Sequence, residues 1–441
     1  MTRGVPPRAP RTLALLVLAG GLACGACTTP GGAPRASVPV AAPVPAPAST
    51  PVLVPDAVRI AARVREVMAR EQVPGASIAV AVDDRTWSWA FGVADLEHRV
   101  PVTPRTRFRV GSVSKSLTAG ALGTLVADGT VDLDAPLTRY LPEYPLAAHR
   151  PTLRQLATHT AGIRHYVPAS ESASVHRYPS LADALPMFWA DPPLFAPGTD
   201  AHYSSHAWNL VGVAMERASG RDFPALMQER LLGPLGLGAT VIDDVAAVIP
   251  DRARFHHVDE GGRTVNAEYV DNSYKWPAGG YLSTPADLAR YAQAVYRGEL
   301  LGRAGWDSLL RTARLPDGTD TGFAVGWFDF VPRATLLVPR GRLRADDVAP
   351  AVRTLCDALG TRLVFHSGSA MGGEAHLLLS PEHRIAVAIA WNRDERQWRQ
   401  FALAFEIWAE LVAARAAGAP ASPEVAGQCA AAERVFGPVS P

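Results

Sequence analysis

The residues best placed to do covalent chemistry are Ser112 and Lys115, in the run Ser112-Val113-Ser114-Lys115. At the start of a helix, a serine and a lysine three positions apart lie on one face, a turn from each other. The hydroxyl and the amine can then touch. The unpaired N–H groups and partial positive charge of a helix N-terminus favour an anionic oxygen at Ser112 and disfavour the ammonium form of Lys115. An amine held neutral can take the serine proton, which is the activation a hydroxyl nucleophile needs. Strand-like Phe108-Arg109-Val110 leads into this turn through Gly111, which permits a tight entry. Composition sharpens the pairing. Lys and Arg together number 43, yet the lysines are two, Lys115 and Lys275. A guanidinium serves surface charge but does not give up its proton, so a lysine kept among arginines points to amine chemistry.

Two downstream runs could complete such a site. Ala201-His202-Tyr203-Ser204-Ser205 follows the turn Ala196-Pro197-Gly198-Thr199, and a tyrosine near a Ser/Lys pair can shuttle a proton to a leaving group. Phe365-His366-Ser367-Gly368-Ser369 closes a strand-like stretch. A glycine-containing strand edge there can set a backbone N–H opposite that of Ser112, giving a tetrahedral oxyanion two donors.

Ser112 to Lys115, then Tyr203, then His366-Ser367-Gly368 resemble, in order and type, the three signature elements of the serine β-lactamase and penicillin-binding superfamily. The likeness is strongest to its class C, D-aminopeptidase and esterase branch and extends from Pro74 to Trp391. Gly162-Ile163-Arg164-His165-Tyr166 and Tyr269 through Trp276 look like runs of the mitochondrial serine β-lactamase-like proteins and their bacterial relatives. The resemblance implies an acylated Ser112, Lys115 as its general base and Tyr203 assisting proton transfer. It also implies an oxyanion hole from the N–H groups of Ser112 and Ser369, and His366 lining the substrate cleft where many members carry Lys. Ser205 stands where the second element usually has Asn, whose side chain helps hold the lysine and a substrate amide. A hydroxyl is shorter and makes fewer hydrogen bonds, and His carries charge only when protonated. Both departures rank peptidase or esterase action on a small molecule or short peptide above β-lactam hydrolysis. A catalytically weak binding or scaffold protein on the same fold is the competing expectation.

The elements that must position these residues read as an α/β (α+β) fold. Residues 57–70 have helical spacing, with Val58, Ala61, Ala62, Val64 and Met68 as the expected buried face. Strand patterns follow at 76–82 and 87–93 and return at 363–366, 374–379 and 385–391, before a last helix over about 397–416. An antiparallel sheet built from both chain ends and flanked by helices is therefore expected, in a domain spanning 56–418. A mostly helical insertion would occupy roughly 130–290, and a tail 419–441. Cys356 and Cys429 could pair and tie that tail to the body.

Residues 1–27 read as a signal or lipoprotein segment: Arg3, Arg8 and Arg11 precede apolar Leu13 to Ala23, with Cys24 and Cys27 as lipidation candidates. Pro- and Ala-rich 28–55 reads as a linker. The mature protein is then expected outside the cytoplasm, in a bacterial periplasm, touching membrane only through a lipid anchor. A net charge of +1 without a basic tract argues against nucleic acid. His202 and His206, and the adjacent His256-His257, lack the companions of a metal site, so neither metal nor other cofactor is expected. Nothing in the pattern signals an oligomeric state.

Overall fold

The computed structural model describes residues 53–436, except 147, 168, 395–398 and 417–420. The expected leader with Cys24 and Cys27, and the linker up to residue 52, lie outside the described residues.

The apolar runs from the two chain ends meet in the middle of one antiparallel sheet. Its strands are β1 (Gly75–Val82), β2 (Arg85–Asp95), β3 (Val100–Pro101), β4 (Phe328–Asp329), β5 (Val364–Ala370), β6 (Gly373–Ser380) and β7 (Ile385–Trp391). Their spatial order is β3-β2-β1-β7-β6-β5-β4. β1 and β7 pair from Ala76 opposite Trp391 to Val82 opposite Ile385. Both are buried on both faces, which is why they read as near-continuous apolar runs.

The two faces differ in side-chain size. Ala79, Ala81, Ala386, Ala388 and Ala390 share a core with Leu288, Ala289, Ala292 and Val295 of the helix Pro285–Arg297. Ile78, Val80, Val387 and Ile389 pack instead with Ile407, Trp408 and Leu411 of the helix Arg399–Ala416. Alanines on one face leave room for a helix to sit close, while branched side chains fill the wider gap on the other. In chain order the long helices are α1 (Ala57–Arg70), α2 (Ser114–Ala127), α3 (Ser205–Ser219), α4 (Pro285–Arg297), α5 (Arg399–Ala416) and α6 (Pro423–Phe436). α1 has the expected extent but a rotated face. Ile60, Val64, Val67 and Met68 are buried, whereas Val58 is 81% exposed.

The segment from 419 onward is more than a tail. It carries α6, whose Val425, Gln428 and Ala432 are buried, and whose Cys429 is bonded to Cys356. The short strand Phe108–Arg109 pairs with Tyr281–Ser283 beneath α2, so both ends of the largely helical middle are anchored where the nucleophile turn begins.

Candidate active site

Ser112 lies in a 3-10 turn, Gly111–Val113, that runs straight into α2. Gly111 has φ +48°, and a Cβ there would lie 2.7 Å from Ser369 N. A Cβ on Gly368 would overlap Val110 O and come 2.7 Å from Ser112 N. The β5 edge and the nucleophile turn thus meet backbone to backbone, a contact that only glycine permits on either side. Ser114 closes the turn, donating to Gly111 O at 2.6 Å and accepting from Tyr281 N.

Lys115 points from the first turn of α2 into the protein and has no exposed surface. Its Nζ is 3.0 Å from Ser112 Oγ, 3.0 Å from Ser205 Oγ and 2.6 Å from Ala278 O. None of these is a carboxylate. Burial, helped by the charge of Lys275, lowers the Lys115 pKa well below the ordinary lysine range. Tyr203 donates to Ser112 Oγ at 2.8 Å, and burial raises its phenol to about 12. Tyr203 precedes Ser204, the N-cap of α3, which accepts from Ala207 N and donates to Arg164 O. Ser204 N in turn donates to His159 Nδ1. His159 adopts φ +59°, a conformation rarely taken by a residue with a Cβ, and its ring centroid is 4.5 Å from that of Tyr203.

The sequence-derived candidates therefore fall into two sets. Ser112, Lys115, Tyr203 and Ser205 converge through direct hydrogen bonds, and Gly368 and Ser369 lie against the nucleophile turn. Ser205 is buried and holds Lys115, keeping one half of the role of the Asn it replaces. His366 and Ser367 are corrected. The His366 ring is only 1% exposed and stacks on Phe328 at 4.4 Å. Burial depresses its pKa to about 3. It stands behind the site as a neutral ring and does not line an open cleft. Ser367 Oγ is hydrogen-bonded to the His376 ring at 2.8 Å. The motif also lies inside β5 rather than at its end.

Four participants escaped side-chain motifs. The Ala278 carbonyl acts through its backbone, so its residue type carries no signal. His165 sits in a run that marked the resemblance without suggesting a role, and its Nδ1 accepts from Ser205 N at 3.2 Å; His159 drew no role from the sequence. Phe323 stacks near Tyr203 at 6.4 Å and has no sequence signature. Lys275 is buried and donates to Ser172 O at 2.9 Å. Burial and the nearby Arg109 charge bring its pKa down to about 7. His206 pairs with Glu171 and His256 with the Asn392 carbonyl.

A Ser/Lys/Tyr triad with a buried lysine and a partly exposed serine and tyrosine, set against a strand edge, is a serine-acylation site in form. The description of the beta-lactamase family matches residues 60–410, and the chain belongs to that family. Among its relatives is the human "Serine beta-lactamase-like protein LACTB, mitochondrial", 31% identical over 298 residues, covering 52% of this chain and 54% of the relative. A beta-lactamase of Escherichia coli K12 is 31% identical over 234 residues, covering 52% and 59%. The chain thus spans little more than half the length of these curated relatives. In fold it is similar to an octameric penicillin-binding protein homologue from Pyrococcus abyssi (TM-score 0.67, 23% identity, covering 81% of this chain and 77% of the other). It is also similar to a class C beta-lactamase mutant (TM-score 0.63, 20% identity, 80% and 96%). These support a serine hydrolase of the beta-lactamase and penicillin-binding type. Among the described residues, no helix is long and apolar enough to cross a membrane.

Proposed function

We propose that the protein hydrolyses a small amide or ester, as a peptidase or esterase, through an acyl-enzyme on Ser112. One observation carries this reading: the buried Lys115 amine touches Ser112 and has only uncharged oxygens around it. A neutral amine has two N–H groups and one lone pair. Ser205 Oγ and Ala278 O take the two hydrogens, which leaves the lone pair for the Ser112 proton, while Tyr203 donates to the same oxygen.

In the reaction, Ser112 Oγ attacks the carbonyl carbon as its proton passes to Lys115 Nζ. The oxyanion takes hydrogen bonds from the N–H groups of Ser112 and Ser369. The bond to the leaving nitrogen or oxygen breaks as that atom receives the proton from Lys115 by way of Tyr203. Water, losing a proton along the same route, then attacks the ester carbon and releases the acid and free Ser112. The complete set of contacts argues against a catalytically weak scaffold. Ser205 in the Asn position and the buried His366 support the reading of peptides and esters ahead of β-lactams.

The reading includes a location outside the cytoplasm, supported by the Cys356–Cys429 disulfide, since such bonds persist in oxidising compartments. One experiment addresses both parts. Cells expressing wild type or Ser112→Ala are fractionated and treated with a fluorophosphonate, and a panel of esters, peptides and a chromogenic β-lactam is assayed. Wild type is expected to label at Ser112 in the envelope fraction, with Ser112→Ala unlabelled and slower by at least about 10⁴-fold. An unlabelled wild type with turnover equal to Ser112→Ala would defeat the enzyme reading; label confined to cytosol would defeat the location.

A further inference from the structure

The aromatic wall behind the nucleophile hangs on β4, a strand of two residues at the edge of the sheet. Phe328 belongs to the site: its ring stacks on His366 at 4.4 Å and lies 6.0 Å from that of Tyr203. The next residue, Asp329, is fully buried and has different partners. Its Oδ2 accepts from Arg362 Nε at 2.8 Å and from Gln428 Nε2 at 2.8 Å. Its Oδ1 has no hydrogen-bond partner among the described residues. Burial raises the Asp329 pKa to about 6 against the pull of these two donors. A buried carboxylate so placed needs both of them to keep its charge and its position.

Gln428 comes from α6, and the residue after it, Cys429, carries the bond to Cys356 in the helical turn Thr354–Leu359. Little else holds α6 down. Its buried residues are Val425, Gln428 and Ala432, and a helix of 14 residues has scant stability of its own in water. The Glu424–Arg362 ion pair lies at the surface and adds little. The disulfide joins residues 73 apart in sequence and favours the docked helix by restricting the chain it would otherwise release. Both cysteines are half-buried, within reach of a small thiol. An unbroken line of contacts thus runs from the disulfide through Gln428, Asp329 and Phe328 to His366 and Tyr203.

We propose that Gln428 is a positioning residue for the site and that the Cys356–Cys429 bond completes it, so that the hydrolase reaches full activity only after oxidation. In that step the two thiols give up two protons and two electrons to a thiol–disulfide oxidant, whose own disulfide is reduced to two thiols. The proposal rests on Ser112 being the acylated residue. It also fits the location proposed above: the chain is weak where thiols are kept reduced and gains its activity in an oxidising compartment.

The test uses the full-length chain, oxidised or treated with dithiothreitol, with the state of Cys356 and Cys429 established by alkylation and mass mapping. Reduction should slow fluorophosphonate labelling of Ser112 and ester turnover by about tenfold or more, and oxidised glutathione should restore both. Gln428→Leu keeps the disulfide and should show a similar loss in either redox state. The double variant Cys356→Ser, Cys429→Ser should stay at the reduced level whatever is added. Hydrogen exchange separates positioning from general destabilisation. On reduction, protection should fall in α6 and at Phe328 and Asp329, while β1 and β7 keep theirs. Reduced wild type that labels and turns over like the oxidised protein would overturn the proposal, as would a fully active Gln428→Leu protein. If neither redox form took label, the acyl-enzyme reading would fail. Exchange at Phe328 and Asp329 would then decide the role of α6 by itself, a fall supporting it and no change refuting it.

Discussion

On either side of the α3 N-terminus the protein holds a cation, Arg164 partly buried and Lys115 fully buried, and it treats the two in opposite ways. Arg164 is bound by Glu171 at 2.7 and 2.8 Å and by Asp191 at 2.5 Å, with the Met187 carbonyl filling another hydrogen. Hydrogen bonding to Glu171 raises the Arg164 pKa, and although burial opposes it, Arg164 holds Glu171 down to about 2. Lys115 lies across Ser204-Ser205 from this network with three neutral oxygens and no carboxylate. Arg164 is a guanidinium that keeps its proton in any case, and its carboxylates hold it as a fixed strut. Full burial without an anion instead drives the Lys115 amine towards the neutral form that the proposed mechanism uses as a base. The contrast separates structure from chemistry inside one shell of residues.

The largest effect should come from giving Lys115 the property of Arg164. Lys115→Arg keeps a cation but removes the ability to become neutral, so it is expected to lose about 10³-fold or more in kcat/KM, as much as Lys115→Met. An arginine variant clearly better than the methionine one in steady-state assays would mean that the positive charge, rather than the lone pair, matters. The reverse operation on the other cation is Glu171→Gln, which leaves Arg164 with one carboxylate. It should cost about 3 kcal/mol in urea unfolding with little change in kcat/KM. A stable but inactive Glu171→Gln protein would erase the distinction between the regions.

Much of the active side of this contrast was legible in the sequence. Ser112, Lys115 and Tyr203 carry their chemistry in their side chains, and the scarcity of lysine set Lys115 apart. The sheet joined from both ends was equally readable, because β1 and β7 are apolar on both faces. What stayed hidden depends on tertiary partners. His366 became a buried neutral ring through Phe328, which comes from a different strand. Val58 fits a helical stripe but turns to solvent because Ile60 and Val67 take the core positions of α1. The third partner of Lys115 is the carbonyl of Ala278, and a carbonyl is common to every residue. Cys356 and Cys429 were an open pairing until α6 brought them within a Cα–Cα distance of 5.5 Å.

The central claim is that Lys115 is a neutral amine at working pH, and the chain offers a clean way to see it. With two lysines in the sequence, full-length protein grown on isotope-labelled lysine gives two side-chain signals by NMR, assigned by loss of one in Lys275→Met. As pH falls, Lys115 should gain its proton only well below the ordinary 10.5, and kcat/KM should fall with it. Lys275 should titrate near 7, and its replacement by Met should move the Lys115 transition to higher pH by removing a like charge. The predicted result is a Lys115 amine neutral at the pH of full activity. A Lys115 signal that stays an ammonium up to 10.5 while the enzyme turns over would contradict the account.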